Sequence, residues 1–244
     1  MGSSQSSYTK DEIVLLAGEL FNEELWQEYS TEGNMTHKQL YVLKNTLSYT
    51  QRHKMTGGTF EIVSTGESAK LNAQGMSAID ASLLLLSGEV TSLAPYFSSE
   101  KLLILNIGSC TWPPFMKNVP ELEEIVDSFC TGTDAIAQVL TVYIAEAHPT
   151  DEWYIEGMPD IAQHKSIEDR LLAAQHFAEQ LSGSCLTDTI VVDSFENTIK
   201  EAYESWPERL YVIQNGQIAY KGGPGPFEYS PRELKEWLLS RVSK

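Results

Sequence analysis

The chain is short of cysteine, of long apolar runs and of basic charge, and each shortage excludes something. Cys110, Cys130 and Cys185 are its only cysteines in 244 residues. An odd, sparse set does not read as a disulfide framework and suggests a reducing compartment. No apolar stretch approaches the roughly 18 residues of a membrane span; the longest patch, Ala81 to Leu86, is far too short. The polar N-terminus lacks the apolar core of a secretory signal. There is no Cys-x-x-Cys, and the histidines lack helical ligand spacing, so no metal site is read. No P-loop or dinucleotide-binding glycine fingerprint is present. The net charge is −17, and from Glu123 to Glu208 eighteen acids face only Lys165, Arg170 and Lys200. Such a surface repels phosphate backbones and excludes nucleic acid as a partner; solubility is the ordinary reason for the excess acid.

What is present is organised around Lys101 to Met116, K-L-L-I-L-N-I-G-S-C-T-W-P-P-F-M. Its first half reads as a strand buried on both faces. Gly108 and Ser109 end it, and Pro113-Pro114 prevents it from continuing. The turn carries Cys110. A buried strand that delivers a cysteine to an abrupt loop before a helix suits redox chemistry, because unpaired amides at a helix N-terminus favour a thiolate or selenolate. A small, buried structural cysteine is the alternative on spacing alone.

With 42% hydrophobic residues the chain can bury a substantial core. Residues 11–29 and 36–47 have helical periodicity, and residues 1–55 are read as an N-terminal helical arm. Thr59 to Ser64 suits a strand, with a further extended piece near Lys70 and a short apolar segment from Asp80 to Leu86. After the turn, Val119 to Phe129 is helical, with Leu122, Ile125, Val126 and Phe129 on one face. Val139 to Ala145 reads as a strand running into Glu146-Ala147-His148-Pro149. A carboxyl and an imidazole at the carboxyl end of a strand are placed for proton transfer; a locally hydrogen-bonded histidine is the alternative. Ser166 caps a helix reaching Leu181, with Asp169 three residues on and Leu171, Leu172, Gln175 and Ala178 following. Thr189 to Asp193 is a third strand, and a helix passes through Ile199 and Tyr203. Leu210 to Lys221 is a hairpin around Asn215-Gly216, and Ser230-Pro231 opens the last helix. The order from residue 101, βαβαβαββα, describes an α/β mixed sheet flanked by helices and resembling thioredoxin, over a domain of residues 56–244.

G-S-C-T-x-P-P-F-M, Gly108 to Met116, resembles the active-site motif of the iodothyronine deiodinases. E-A-H-P-x-D-x-W, Glu146 to Trp153, is similar to a second family signature. His164 in Q-H-K-S-I-E-D-R, Arg209 in E-R-L-Y-V-I-Q and the glycine loop Gly222 to Phe227 match further ones. The resemblance covers roughly residues 60 to 244. It implies a thioredoxin-like, peroxiredoxin-like fold and reductive removal of iodide from thyroxine or a related halogenated phenol. It further implies a chalcogenide at position 112, protons handled by Glu146, His148 and His164, and Cys110 as the resolving thiol. Thr111, Tyr143 and Arg209 would then line the substrate. No cofactor is bound on this reading, an external thiol is the reductant, and a homodimer is carried over as a family trait.

One position departs from the family. Between Thr and Pro-Pro the deiodinases have selenocysteine, and here that residue is Trp112, whose indole offers no nucleophile for iodine. Selenocysteine is encoded by UGA, which some genetic codes read as Trp. Selenocysteine in the native product, genuine loss of the nucleophile and deliberate substitution therefore all stand. Correspondingly, three readings compete: a deiodinase, a thiol peroxidase using Cys110, and a non-catalytic protein in which Trp112 meets an aromatic ligand. The start Met1-Gly2-Ser3-Ser4-Gln5-Ser6 fits a myristoylation pattern at Gly2, against a flexible Ser-rich tail or a cloning remnant. A single acyl chain binds membrane weakly and reversibly. The expected location is cytoplasmic, with membrane association through that lipid; animal deiodinases instead carry an N-terminal membrane anchor.

Overall fold

The computed structural model describes residues 73–97, 100–152, 154–226 and 228–242, with two short strands nearer the N-terminus. The chain divides into two compact units, Met1–Ala69 and Lys70–Lys244. In the first, β1 (Ser7–Tyr8) pairs antiparallel with β2 (Met35–Thr36). Thr36 is thus in a strand, not at the start of a helix. The remainder of both helices expected in the arm, Gly2, and the extended pieces at Thr59–Ser64 and Lys70 lie outside the described residues.

The second unit is a seven-stranded mixed sheet. Its edge hairpin, β3 (Ser82–Leu85) and β4 (Val90–Ser92), precedes β5 (Leu102–Gly108), which is buried along its whole length as its near-continuous apolar run requires. Asn106 is the one polar residue in that run, and its amide is matched by the Tyr229 hydroxyl at 2.7 Å. After the Cys110 turn come α1 (Pro113–Lys117) and α2 (Val119–Phe129). The buried face of α2, Val119, Leu122, Ile125, Val126 and Phe129, contains the stripe its periodicity predicts. Then follow β6 (Ala137–Tyr143), α3 (Ile167–Gln180), β7 (Ile190–Asp193) and α4 (Thr198–Ala202). The antiparallel pair β8 (Arg209–Gln214) and β9 (Gln217–Lys221) and the helix α5 (Pro231–Val242) close the chain.

The strand order is β4-β3-β7-β6-β5-β8-β9, with β5, β6 and β7 parallel. This is a thioredoxin-like sheet with its central parallel strands buried between helices. A core of Leu103, Leu105, Ile107, Leu140, Val142 and Tyr211, among others, fills the centre. Helix α3 carries a full capping box, Ser166 with Asp169. Its inward face, however, is Arg170, Ala173, Ala174 and Phe177, whereas Leu172, marked by its apolarity, is 64% exposed. Two alanines let the helix approach the sheet closely, and a buried arginine finds partners there. Among the described residues, no helix is long and apolar enough to cross a membrane.

Candidate active site

The register of β5 against β6 builds the site. Gly108 pairs with Tyr143, and the two strands end side by side. The Ile144 amide still bonds the Gly108 carbonyl at 3.1 Å, so the segments that follow start in step. Two residues past Gly108 is Cys110, three past it is Thr111, and three past Tyr143 is Glu146. Gly108 has no side chain because a Cβ there would lie 2.4 Å from the Phe115 ring. That ring, the first buried residue of α1, packs over the strand end and against Phe177 of α3.

These residues form one connected, buried cluster. Glu146 accepts from the Thr111 hydroxyl on one oxygen and from the Tyr143 hydroxyl, at 2.5 Å, on the other. The Cys110 sulfur lies 3.1 Å from the same Tyr143 hydroxyl. With that O–H already given to Glu146, the thiol is the donor to Tyr143. His164 Nε2 is 3.1 Å from Glu146 Oε1, an oblique approach inside ion-pair distance. The His148 amide donates to Thr111 at 3.3 Å, and its ring stacks on Trp112 with centroids 5.4 Å apart. Trp112, Cys110, Thr111, Tyr143 and His148 are fully buried, and Glu146 and His164 nearly so.

Burial and the Glu146 charge push the Cys110 thiol up to about 12, against a smaller lowering by Tyr143. Tyr143 is held well above the usual phenol range by the same two causes. Cys110 therefore carries its proton at neutral pH and is no poised thiolate. Both protons are drawn toward Glu146.

Two residues that sequence reasoning passed over hold Glu146 and His164. Gln163 donates to the Glu146 carbonyl at 3.1 Å and accepts the Glu146 and His164 amides at 3.2 and 3.3 Å. Arg170 donates from Nε to His164 Nδ1 at 3.2 Å. Neither position has a periodic signature that would have marked it.

Arg209 is also buried, but its guanidinium bonds the carbonyls of Gly222 and Glu204 at 2.9 and 3.0 Å. Its acidic neighbour is the Glu204 carboxyl at 3.7 Å. Glu208, its neighbour in sequence, is not among these partners and is fully buried. A Cβ at Gly225 would meet the Glu208 Cγ at 2.3 Å, so only glycine leaves room for this carboxyl. Burial raises Glu208 to about 8, and the Trp112 indole opposes that shift without reaching hydrogen-bond geometry to either oxygen. His176 is exposed on α3 and contacts Gln180, as a surface residue would.

A family model described as iodothyronine deiodinase matches residues 39–242. The chain belongs to the iodothyronine deiodinase family. The family match begins upstream of the motifs legible in the sequence, inside the N-terminal arm. A type I iodothyronine deiodinase from Xenopus laevis is 39% identical over 66% of this chain and 60% of its own length. The thyroxine 5-deiodinase of Homo sapiens is 38% identical over 68% of this chain and 52% of its own. This chain thus aligns with only about half to three-fifths of the length of these curated relatives. Among solved structures, the thioredoxin domain of a Bacteroides vulgatus thiol-disulfide oxidoreductase aligns over 70% of this chain and 98% of its own. Its identity is 16% and its TM-score 0.45. Set beside the deiodinase motifs, the cluster draws its members from both principal signatures and from the Gln163–Arg170 segment, and Trp112 is buried beside it. Among the described residues, no group of histidines, cysteines and carboxylates could hold a metal ion.

Proposed function

We propose that this protein is the scaffold of a reductive deiodinase acting on thyroxine or another halogenated phenol. One observation carries the reading: two separated motifs meet in a buried polar cluster that abuts residue 112. In the proposed reaction a chalcogenide at position 112 takes iodine from the ring. The ring carbon keeps the electron pair and receives a proton through Glu146, His148 or His164. The Cys110 thiol gives up its proton and attacks the chalcogen, iodide leaves, and a chalcogen–sulfur bond forms. An external thiol then reduces that bond and restores both groups. Thr111 and Tyr143 flank the reacting position, and Arg209 supplies a guanidinium for a carboxylate. The acid-rich surface suits an anionic amino acid poorly, so halogenated aromatics other than the hormone belong to the same proposal. So do a homodimer, a cytoplasmic location and lipid-mediated membrane association through Gly2.

With an indole at position 112 the nucleophile is missing and little or no iodide release is expected. The deciding experiment is the mass of the peptide containing residue 112, from natively expressed protein, beside thiol-dependent iodide release from thyroxine. Selenium there with iodide release supports the reading. Selenium without release of iodide from any halogenated phenol tested would sink it, as would robust release from a confirmed Trp112 protein. The stack of Trp112 on His148 favours, as a second reading, a non-catalytic protein that binds an aromatic ligand; binding without turnover would support it. The buried, protonated Cys110 speaks against a peroxidase. Peroxide consumption abolished by Cys110→Ser would reverse that judgement.

A further inference from the structure

We infer that Arg170 is a positioning residue that fixes His164 as its Nε2–H tautomer, with the proton on the ring atom 3.1 Å from Glu146 Oε1. The guanidinium sits inside α3, 2% exposed, and every arm has a partner. Nη1 donates to the carbonyls of Asp193 and Ser194, the latter at 2.5 Å, and Nη2 donates to the Asn197 side chain at 2.8 Å. These contacts tie the group to the segment after β7, and a planar fork fixed at two corners has no freedom at the third. Its Nε–H therefore points where the frame directs it, to His164 Nδ1.

The frame is itself anchored. The Asp193 side chain accepts the Ile199 and Lys200 amides at 2.9 and 3.0 Å and the Thr198 hydroxyl at 3.2 Å. It caps the start of α4 and holds the turn whose carbonyls bind Arg170. Arginine has donors only, so Nδ1 must offer its lone pair. The ring proton of neutral His164 is then on Nε2, the atom facing Glu146 Oε1. The approach is oblique, inside ion-pair distance and short of a hydrogen bond.

The consequence concerns direction. Thr111 and Tyr143, with Cys110 behind Tyr143, donate toward Glu146, and Arg170 donates to His164, whose Nε2 lies 3.1 Å from the same carboxyl. With Nδ1 engaged, His164 exchanges a proton with the site through Nε2. A lysine could not do this. Its single ammonium cannot reach Nδ1 while also holding three acceptors beyond β7.

The inference rests on reading the cluster as the proton-handling part of a deiodinase site, and its test needs no turnover. The full chain is labelled with 15N-histidine, and two-bond 1H–15N spectra are recorded at neutral pH, with His164 assigned by comparison with His164→Asn. The expected wild-type pattern is a single Nε2–H tautomer at His164. Arg170→Met should bring the two tautomers to comparable populations, with His176 unchanged as a check on the fold, and Arg170→Lys should not restore the wild-type pattern. An Nδ1–H or doubly protonated His164 in the wild type would overturn the inference. So would an unaltered His164 pattern in folded Arg170→Met. Should that variant fail to fold, the wild-type spectrum decides alone. An inactive protein that keeps the Nε2–H pattern would remove the activity and leave this assignment standing.

Discussion

Two regions of the sheet are equally dry and are built in opposite ways. Through the middle of β5 and β6, Leu103, Leu105, Leu140 and Val142 exclude water by shape alone. At and past the carboxyl ends of the same strands, Cys110, Thr111, Tyr143, Glu146 and His164 are buried as well, but joined by hydrogen bonds and an ion-pair contact. Apolar packing is non-directional, so it yields gradually as atoms are removed. A buried polar network depends on every member, because each donor left behind keeps its full desolvation penalty. The difference teaches where to look for chemistry: burial alone does not mark a site, but polar burial that a hydrophobe could replace more cheaply does.

The sharpest way to break that comparison is to place a hydrophobe at its centre. Glu146→Leu keeps roughly the same bulk but strands the Thr111 and Tyr143 hydroxyls, at about 1–3 kcal/mol for each orphaned donor, and takes the carboxylate away from His164. Leu105→Ala, in the apolar region, removes packing and leaves a cavity, an effect of about 2–5 kcal/mol. Urea unfolding should show Glu146→Leu to be at least as damaging as Leu105→Ala. A Glu146→Leu protein as stable as wild type would mean that the polar region is ordinary core.

How much of this was legible follows from how local each signal is. The strand β5 and the inner face of α2 were written in short-range patterns, and the structure keeps them. Cys110, Thr111, Tyr143, Glu146, His148 and His164 could be named because motifs flag them, yet their meeting depends on the Gly108–Tyr143 register, which no local pattern encodes. Arg170 was counted among the few surface bases, because an arginine in a helix ordinarily reads as solvated. Its partners are two carbonyls and an amide more than twenty residues away. The apolar Leu171 and Leu172 pulled attention to the wrong face for the same reason. Nothing local marks Glu208 among the acids of its segment, since its fit against Gly225 is a tertiary fact.

Glu208 sharpens the comparison at a second point, as a buried carboxyl outside the network. Its ordinary value of 4.5 rises to about 8 through burial. Below about pH 4.5 both the folded and unfolded chains hold the proton, and its contribution is fully present. From there to about pH 8 only the unfolded chain releases it, so stability falls as pH rises, by at most about 1.4 kcal/mol per pH unit. Urea midpoints measured from pH 5 to 8 should fall more steeply in wild type than in Glu208→Gln. A constant gap between the two proteins would show that Glu208 is ionised throughout.

The smallest expected effect compares the cysteines of the two kinds of surroundings. Cys185 is exposed, Cys130 is partly buried and pushed to about 12, and Cys110 is fully buried and likewise pushed to about 12. Alkylation of the native protein by iodoacetamide at pH 8, followed by peptide mass, should label Cys185 first and Cys110 last. The thiolate is the reacting species, and access and acidity both disfavour Cys110. Part of that disadvantage is the Glu146 charge, which raises the thiol, so Glu146→Gln should speed Cys110 labelling a few-fold. Tyr143→Phe should slow it further, because a Tyr143 hydroxyl turned toward the ionised sulfur stabilises the thiolate and is the larger of the two lowering influences on Cys110. Opposite shifts from two neighbours of one sulfur would separate acidity from access, since opening the cluster by either substitution would speed labelling in both. If Cys110 were labelled ahead of Cys185, the cluster would hold a poised thiolate, and a nucleophilic role for Cys110 would displace the resolving one.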